Sequence, residues 1–335
     1  MSDFRTIVPP IKCQGIKTKL VPWIRALVPD DFNGRWIEPF MGSGVVAFNL
    51  RPKRVLLADS NPHLIRLYQA IADGSISPGS VRQFLEDEGA ELFRTEGQHF
   101  YDIRERFNQH GDPIDFLFLN RACFNGMIRF NRKGGFNVPF CRKPNRFAQA
   151  YITKICNQIK AVADAIACGD YEFIHQDYDK TISAAGDGDF IYCDPPYIDR
   201  HTDYFNGWDE SNERDLAARL ETTSARFILS TWHSNEYRAN QFIDSIWRPY
   251  HIQTREHFYH VGAREDNRNP MLEALITNYA TDDEESSSQQ IEQLRLFESA
   301  AKYKGESKAV DSMFSSHPVV GPRGVSTCAL SRFDV

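Results

Sequence analysis

Asp194, Pro195, Pro196 and Tyr197 put a carboxylate, a preset turn and an aromatic ring side by side, at the end of the apolar, β-favouring run 190–192. Two prolines end that strand abruptly, because proline lacks the N–H a sheet needs and fixes its own φ. In doubly wound α/β folds the ligand crevice lies outside the carboxyl ends of the strands, so this quartet is expected at its mouth. Proline offers carbonyl acceptors only, and Asp194 adds a carboxylate. Two acceptors can hold both hydrogens of an exocyclic amino group and aim its lone pair, while the Tyr197 ring can stack on the planar base that carries it. These residues suit attack by a weakly nucleophilic ring amine.

The elements that must position such a quartet come earlier in the chain. A short strand from Arg35 runs into Gly42, Ser43 and Gly44 before a helical pattern. Closely spaced glycines after a strand let the backbone approach a ligand, and the following helix N-terminus favours negative charge. A second strand ends at Asp59, at the distance where nucleotide-binding α/β folds place an acidic residue for ribose hydroxyls. Asn61 reads as the cap of a helix over 63–72. A third strand, YEFIH, ends before Asp177 and Tyr178. Near the start, Lys12, Lys17 and Lys19 surround a loop with Gly15 that leads into a helix through Leu20, Ile24 and Leu27.

Charge is distributed unevenly. The chain carries a net −6, yet between Phe116 and Ala163 there is no acidic residue and nine positive ones: Arg121, Arg129, Arg132, Lys133, Arg142, Lys143, Arg146, Lys154 and Lys160. Such a reversal in an acidic protein is the footprint of a phosphate-binding face. Phe124, Phe130, Phe136, Phe140 and Phe147 interleave with the cations, and asparagines at 120, 125, 131 and 137 have the groups to bond base edges.

DPPY at 194–197 resembles the catalytic motif of amino-methyltransferases that modify adenine in DNA with S-adenosylmethionine (AdoMet) as methyl donor. EPF-x-G-x-G, with Glu38, Pro39, Phe40, Gly42 and Gly44, is similar to the loop that cradles the methionine part of AdoMet in those enzymes. Lys12, Gly15 and Lys17 fall on a segment of the Dam-like adenine-N6 methyltransferases; the match implies that Lys17 meets the AdoMet carboxylate, and Cys13 stands where that family often has an aromatic residue. Asp177 and Tyr178 match, loosely, a pair that contacts the AdoMet adenine. LNR-x3-NG-x2-R-x-N-x3-GxFNVPF resembles the start of the family's target-recognition region. That match implies a wedge role for Phe124, base contacts for Asn125 and Arg129, a phosphate contact for Arg142, and a surface completed by Met127 and Pro139. Arg121, Arg132 and Lys133 join the expected DNA-binding set through their charge. An enzyme acting on a base inside a duplex must flip it out, and a wedge with phosphate clamps offsets the unstacking cost.

The resemblance implies an α/β fold, a Rossmann-like AdoMet-dependent methyltransferase sheet with an inserted, mainly helical and loop target-recognition domain. The catalytic domain is expected over 1–80 and 168–281, the insert over 81–167, and a largely disordered tail over 282–335, where TDDEESSSQQ opens a polar, acidic stretch. The implied activity is site-specific transfer of methyl from AdoMet to adenine N6 in double-stranded DNA. Cytosine N4 or an RNA base are alternative acceptors, although cytosine enzymes usually carry Ser, and RNA guanine enzymes Asn, in place of Asp194. A non-catalytic, AdoMet-sensing DNA-binding protein is the alternative of another class. Tyr204, Phe205 and Trp208 have the character to close over a flipped base, Ser230 and Asn235 to line the pocket, and the loop from Arg264 to Arg268 to touch DNA. In the tail, Gln293, Leu294, Arg295, Leu296 and Phe297 spell QLRLF, similar to the peptide by which bacterial replication proteins dock on the sliding clamp.

Composition sets the outer bounds. At 335 residues, 41% hydrophobic and 25% charged, the chain can bury a sizeable core. It has no apolar run of about 18 residues, and its start lacks the basic-then-apolar form of a signal peptide, so a cytoplasmic location is expected. Seven cysteines, an odd number without a CxxC pair, point away from a disulfide framework and from a zinc site, so no metal is expected. A monomer is the default expectation.

Overall fold

The computed structural model describes residues 6–197, 208–258 and 270–281. A seven-stranded sheet runs through them: β1 (Arg35–Glu38), β2 (Arg54–Asp59), β3 (Asp170–His175), β4 (Phe190–Cys193), β5 (Arg226–Asn235), β6 (His251–Phe258) and β7 (Pro270–Thr277), in the order β3-β2-β1-β4-β5-β7-β6. The first five are parallel, and β7 lies antiparallel between β5 and β6. Strand order reverses between β1 and β4, which makes the gap beyond their carboxyl ends the switch-point crevice. Glu38 closes β1 and Asp194 follows β4, so both motifs open into it.

Each central strand alternates between two cores, as the two-residue period requires. Trp36, Val55, Leu57, Phe190 and Tyr192 face one side, where Trp36 stacks flat on Phe190 at 5.1 Å between centroids. Ile37, Leu56, Ile191, Cys193, Phe227 and Leu229 face the other. On the first side lie α1 (Val21–Leu27), α2 (Val45–Leu50) and α3 (Pro62–Ala72). Asn61 caps α3 as its sequence position predicts, accepting from the His63 N–H at 3.0 Å. The second side is covered in part by a helix over Glu210–Thr222 through Leu216 and Leu220.

Between β2 and β3 the chain makes α4 (Pro78–Arg94), α5 (His99–His110), α6 (Pro113–Ala122), an irregular segment, and α7 (Gln149–Ile166). A reciprocal Ser77–Ser80 capping box starts α4. Arg106 on α5 ties three helices together, reaching both Asp115 oxygens (2.8 and 2.6 Å) and Glu88 (2.9 Å). In α6 all residues from Asp115 to Ala122 are buried. Phe100, Phe107, Phe116, Phe118, Phe136 and Ile155 of this region continue the same hydrophobic core as Trp36 and Val55. The first compact unit of the chain ends at Tyr279. No helix among the described residues is long and apolar enough to cross a membrane. Tyr204, Phe205, residues 264–268 and the QLRLF segment lie outside the described residues.

α8 (Tyr178–Ser183) follows β3, and α9 is the helix Glu210–Thr222.

Candidate active site and nucleic-acid interface

The turn from β1 to α2 holds both glycines in the left-handed region, with φ +50° at Gly42 and +67° at Gly44. They differ in what surrounds them. A Cβ on Gly44 would meet Phe48 at 2.6 Å, whereas one on Gly42 would meet nothing within 4 Å. Gly44 is therefore required by packing, and Gly42 leaves an open cradle in front of the loop. Asp59 braces that cradle: Oδ2 accepts the Gly42 N–H at 2.9 Å and Oδ1 accepts the Asn61 N–H at 2.8 Å. Partial burial raises the Asp59 pKa, while these two N–H donors and His175 oppose the rise. The hydroxyl of buried Tyr68 donates to the Ser43 carbonyl, fixing the turn from beneath.

Glu38 is 2% exposed and accepts from the Trp36 indole N–H at 2.9 Å. Burial pushes its carboxyl up to about 8 against the pull of the Trp36 and Ala47 donors, and the charge of Asp194 adds to the rise. Pro39 is buried, and Phe40 packs on Tyr178 (5.1 Å, 25°) and edge-on to Trp208 (5.5 Å, 82°). Tyr178 donates its hydroxyl to Asp215 at 2.9 Å. Asp177 occupies the N-cap position of α8, but its side chain makes no capping bond.

Trp208 is anchored by a residue that the sequence did not single out. Glu213, 2% exposed on α9, accepts the indole N–H of Trp208 on one oxygen and that of Trp247 on the other, both at 2.8 Å. Nothing local marks this glutamate, because its two partners lie on different elements.

At the end of β4, Asp194 sits half-buried, Pro195 buried and Pro196 half-buried. Burial raises the Asp194 pKa; Lys17 lowers it and Glu273 raises it further. Lys17 Nζ lies 2.8 Å from Asp194 Oδ1, donates to the Gly15 carbonyl at 3.1 Å, and stands 4.5 Å above the Tyr197 ring. The Lys17 ammonium is thus engaged by the carboxylate of the DPPY motif. Tyr197 is 7% exposed, packs with Trp232 and Met271, and donates its hydroxyl to Glu273 on β7. Ser230 is fully buried on β5 near that hydroxyl, while Asn235 turns its side chain back onto the Tyr237 and Arg238 N–H groups. Cys13 falls within the electrostatic reach of both Asp59 and Asp194, which with burial raises its thiol pKa. Cys13, Lys17, Glu38, Asp59 and Asp194 therefore converge on one crevice, although 181 positions separate the first from the last.

The basic region resolves into a surface and a scaffold. Phe124 is 52% exposed on a short 3-10 turn, next to exposed Asn125 at φ +54°. Arg132, Lys133, Pro139 and Arg142 are also exposed, and Met127 and Arg129 are half-buried. Phe130 pairs with Phe136 across a hairpin, whose tip is turned by Asn131 accepting from the Lys133 and Gly135 N–H groups. Arg129 is braced by Asn137, Nε to Oδ1 at 2.9 Å.

Several expectations are corrected here. Arg121 is 3% exposed; it donates to the Pro10 carbonyl at 2.9 Å and lies over the Tyr151 ring, so it supports the surface from inside. Asn120 is fully buried and clamps the backbone of Lys12 at both N–H and carbonyl, with a third bond to the Gly126 carbonyl. Asn131 and Asn137 are committed to the hairpin, which leaves Asn125 as the exposed asparagine whose side chain is not spent on the turn. Phe136, Phe140 and Phe147 belong to the core. α6 is buried from Asp115 to Ala122, so Asn120 and Arg121 serve only as internal groups.

The sequence model of the D12 class N6 adenine-specific DNA methyltransferases matches residues 14–261. The chain belongs to that family. It is 33% identical over 246 residues to a DNA adenine methylase of Haemophilus influenzae, covering 68% of this chain and 80% of that one. It is 28% identical over 301 residues to the type II methyltransferase M.MjaIII of Methanocaldococcus jannaschii, covering 82% and 99%. It is 26% identical over 287 residues to the type II methyltransferase M1.LlaDCHI of Lactococcus lactis subsp. cremoris, covering 80% and 94%. Family membership makes this an adenine-specific DNA methyltransferase with the Rossmann-like methyltransferase sheet seen here.

Proposed function

We propose that the enzyme takes methyl from AdoMet and places it on N6 of an adenine flipped out of a specific duplex sequence. The observation that carries this reading is the open cradle at Gly42 sharing one crevice with the Asp194 carboxylate. The donor set fits AdoMet: a cradle that a Cβ would fill, a carboxylate at Asp59 for ribose hydroxyls, and the aromatic faces of Phe40 and Tyr178. Gly42, Gly44, Glu38, Pro39, Phe40, Asp59, Asp177 and Tyr178 hold the cofactor, with Cys13 beside it. When bound, AdoMet supplies an electrophilic methyl group.

The chain's own residues do the rest by positioning, which is where much of such a rate arises. Asp194 and the Pro195 carbonyl accept the two amine hydrogens and leave the nitrogen lone pair pointing at the methyl; Pro196 keeps the turn rigid. Tyr197 packs the base. The low exposure of Tyr197 and Glu38 keeps water from competing. Phe124 enters the stack that the adenine leaves, Asn125 and Arg129 meet base edges, Met127 and Pro139 offer apolar contacts, and Arg132, Lys133 and Arg142 meet phosphates. Residues 1–80 and 168–281 form the catalytic part, and 81–167 the recognition insert. A cytoplasmic monomer is part of this reading.

The test is transfer of labelled methyl from AdoMet to unmethylated DNA, with RNA as parallel acceptor and Asp194→Ala as control. Methyladenine in DNA from the intact protein alone supports the reading; label on RNA, or undiminished turnover by Asp194→Ala, overturns it. Sliding-clamp docking through Gln293, Leu294, Arg295, Leu296 and Phe297 is a separate proposal, carried by that peptide sequence. Deleting the five residues should abolish clamp binding and leave methyl transfer to short duplexes unchanged; clamp binding that survives the deletion rejects it.

A further inference from the structure

An ammonium group removed from water is costly unless it is paired and hydrogen-bonded. Lys17 is 3% exposed, and three features of the DPPY loop and its own turn engage it: the Asp194 carboxylate, the Gly15 carbonyl and the face of Tyr197. Asp194 has the complementary problem. Among the described residues, the titratable groups that act on it are Cys13 beside the glycine cradle, Glu38 at the end of β1, Tyr192 and Cys193 on β4, Tyr197 in its own loop, Glu273 on β7, and Lys17. All but Lys17 are neutral or negative when they ionise. Lys17 is the one group in that set that favours the ionised carboxylate.

We infer that Lys17 is a positioning residue for methyl transfer, which acts through Asp194 as its counter-ion and fixes the carboxylate to receive the target amine. This rests on the function proposed above. A protonated Asp194 would turn one of its acceptor oxygens into a donor and repel an amine hydrogen. The cation also pins the Tyr197 ring, so one side chain sets both halves of the base-holding quartet. Burial and the neighbouring acids press Asp194 toward the protonated form; Lys17 opposes them. In its absence the carboxylate ionises only at higher pH.

The experiment compares the full-length wild type, Lys17→Met and Lys17→Arg in single-turnover methyl transfer to an unmethylated duplex across about pH 5.5–9, together with AdoMet titration of each protein. Lys17→Met is expected to lose roughly 100-fold in rate at neutral pH and to move the acidic limb of the profile upward by about one pH unit or more. Lys17→Arg keeps the cation and should regain about tenfold of that loss, with the limb at the wild-type position. AdoMet is saturating for each protein in the rate measurements, so the limb reports the transfer step and the titration reports cofactor affinity separately. A loss confined to AdoMet affinity, with the limb unmoved, would make Lys17 a cofactor ligand and overturn the inference. Should Lys17→Met not fold, Lys17→Arg decides: a limb displaced in a protein that retains its cation rejects the counter-ion role. A wild type that leaves DNA unmethylated would instead remove the proposed function itself.

Discussion

The hydroxyl of Tyr197 donates to Glu273, a fully buried carboxylate on the antiparallel strand β7. Through this bond the DPPY loop is secured to a strand that the parallel part of the sheet does not contain. Glu273→Ala leaves that hydroxyl without its acceptor in a dry setting. The expected cost is about 2–4 kcal/mol in chemical unfolding, with a fall in single-turnover rate larger than the change in AdoMet affinity.

The two glycines of the β1–α2 turn should respond differently to alanine. At Gly42 the side chain enters open space and only the left-handed backbone is penalised, by about 1 kcal/mol. Thermal unfolding should shift little, while AdoMet affinity measured by calorimetry falls about tenfold or more as the methyl group occupies the cradle. At Gly44 the same methyl runs into Phe48, and a loss of about 2–4 kcal/mol in stability is expected.

Phe124 carries its ring into solvent, so Phe124→Ala should leave stability within about 0.5 kcal/mol. Its effect belongs to the duplex. A fluorescent purine at the target position should report less unstacking, and methyl transfer to duplex DNA should slow by about tenfold or more. Transfer to a duplex with a mismatch at the target, already loosened, should slow less.

Asn120→Ala removes three hydrogen bonds that hold Lys12 and Gly126. Two of the abandoned partners are Lys12 backbone groups. Chemical unfolding should show a loss of about 2–4 kcal/mol, and Asn131→Ala, at the exposed hairpin tip, a smaller one.

Glu38 gives stability a pH dependence. Its carboxyl is raised from 4.5 to about 8 in the folded protein, so the native state holds a proton that the unfolded chain has released between those values. The contribution of this group is fully present below about pH 4.5 and is lost as pH rises toward 8, at a slope of up to about 1.4 kcal/mol per pH unit. Glu38→Gln should flatten that part of the stability–pH curve, measured by denaturant titration in the free protein. A curve of unchanged slope would mean that the carboxyl is ionised when buried.

Local patterns were legible in the sequence and long-range pairings were not. The strand before Asp194, the glycine turn, the Asn61 cap and the Asp59 strand end each depend on a few adjacent residues, and each stands where its pattern predicted. The pairing of Lys17 with Asp194 spans 177 positions and that of Tyr197 with Glu273 spans 76, and no periodicity encodes either. The basic stretch misled in one respect. Charge counted along the chain does not say which cations face outward, and Arg121, with its neighbour Asn120, had gone to the inside of α6. The two indoles that share Glu213 left no trace beyond an ordinary glutamate in an amphipathic helix.

The recognition hairpin joins the rest of the insert through a narrow neck, in which the Phe124 N–H bonds the Pro139 carbonyl at 2.8 Å and the Cys141 N–H bonds the Ala122 carbonyl at 3.0 Å. The residues proposed to meet the bases are carried on this short closed segment, which is itself tied to the core through Phe136 and Val138. Phe124 and Asn125, proposed to meet the bases, stand on the exposed side of this segment while Phe136 and Val138 anchor it in the core, so a change of target sequence calls for substitution at the exposed positions with the buried ones kept.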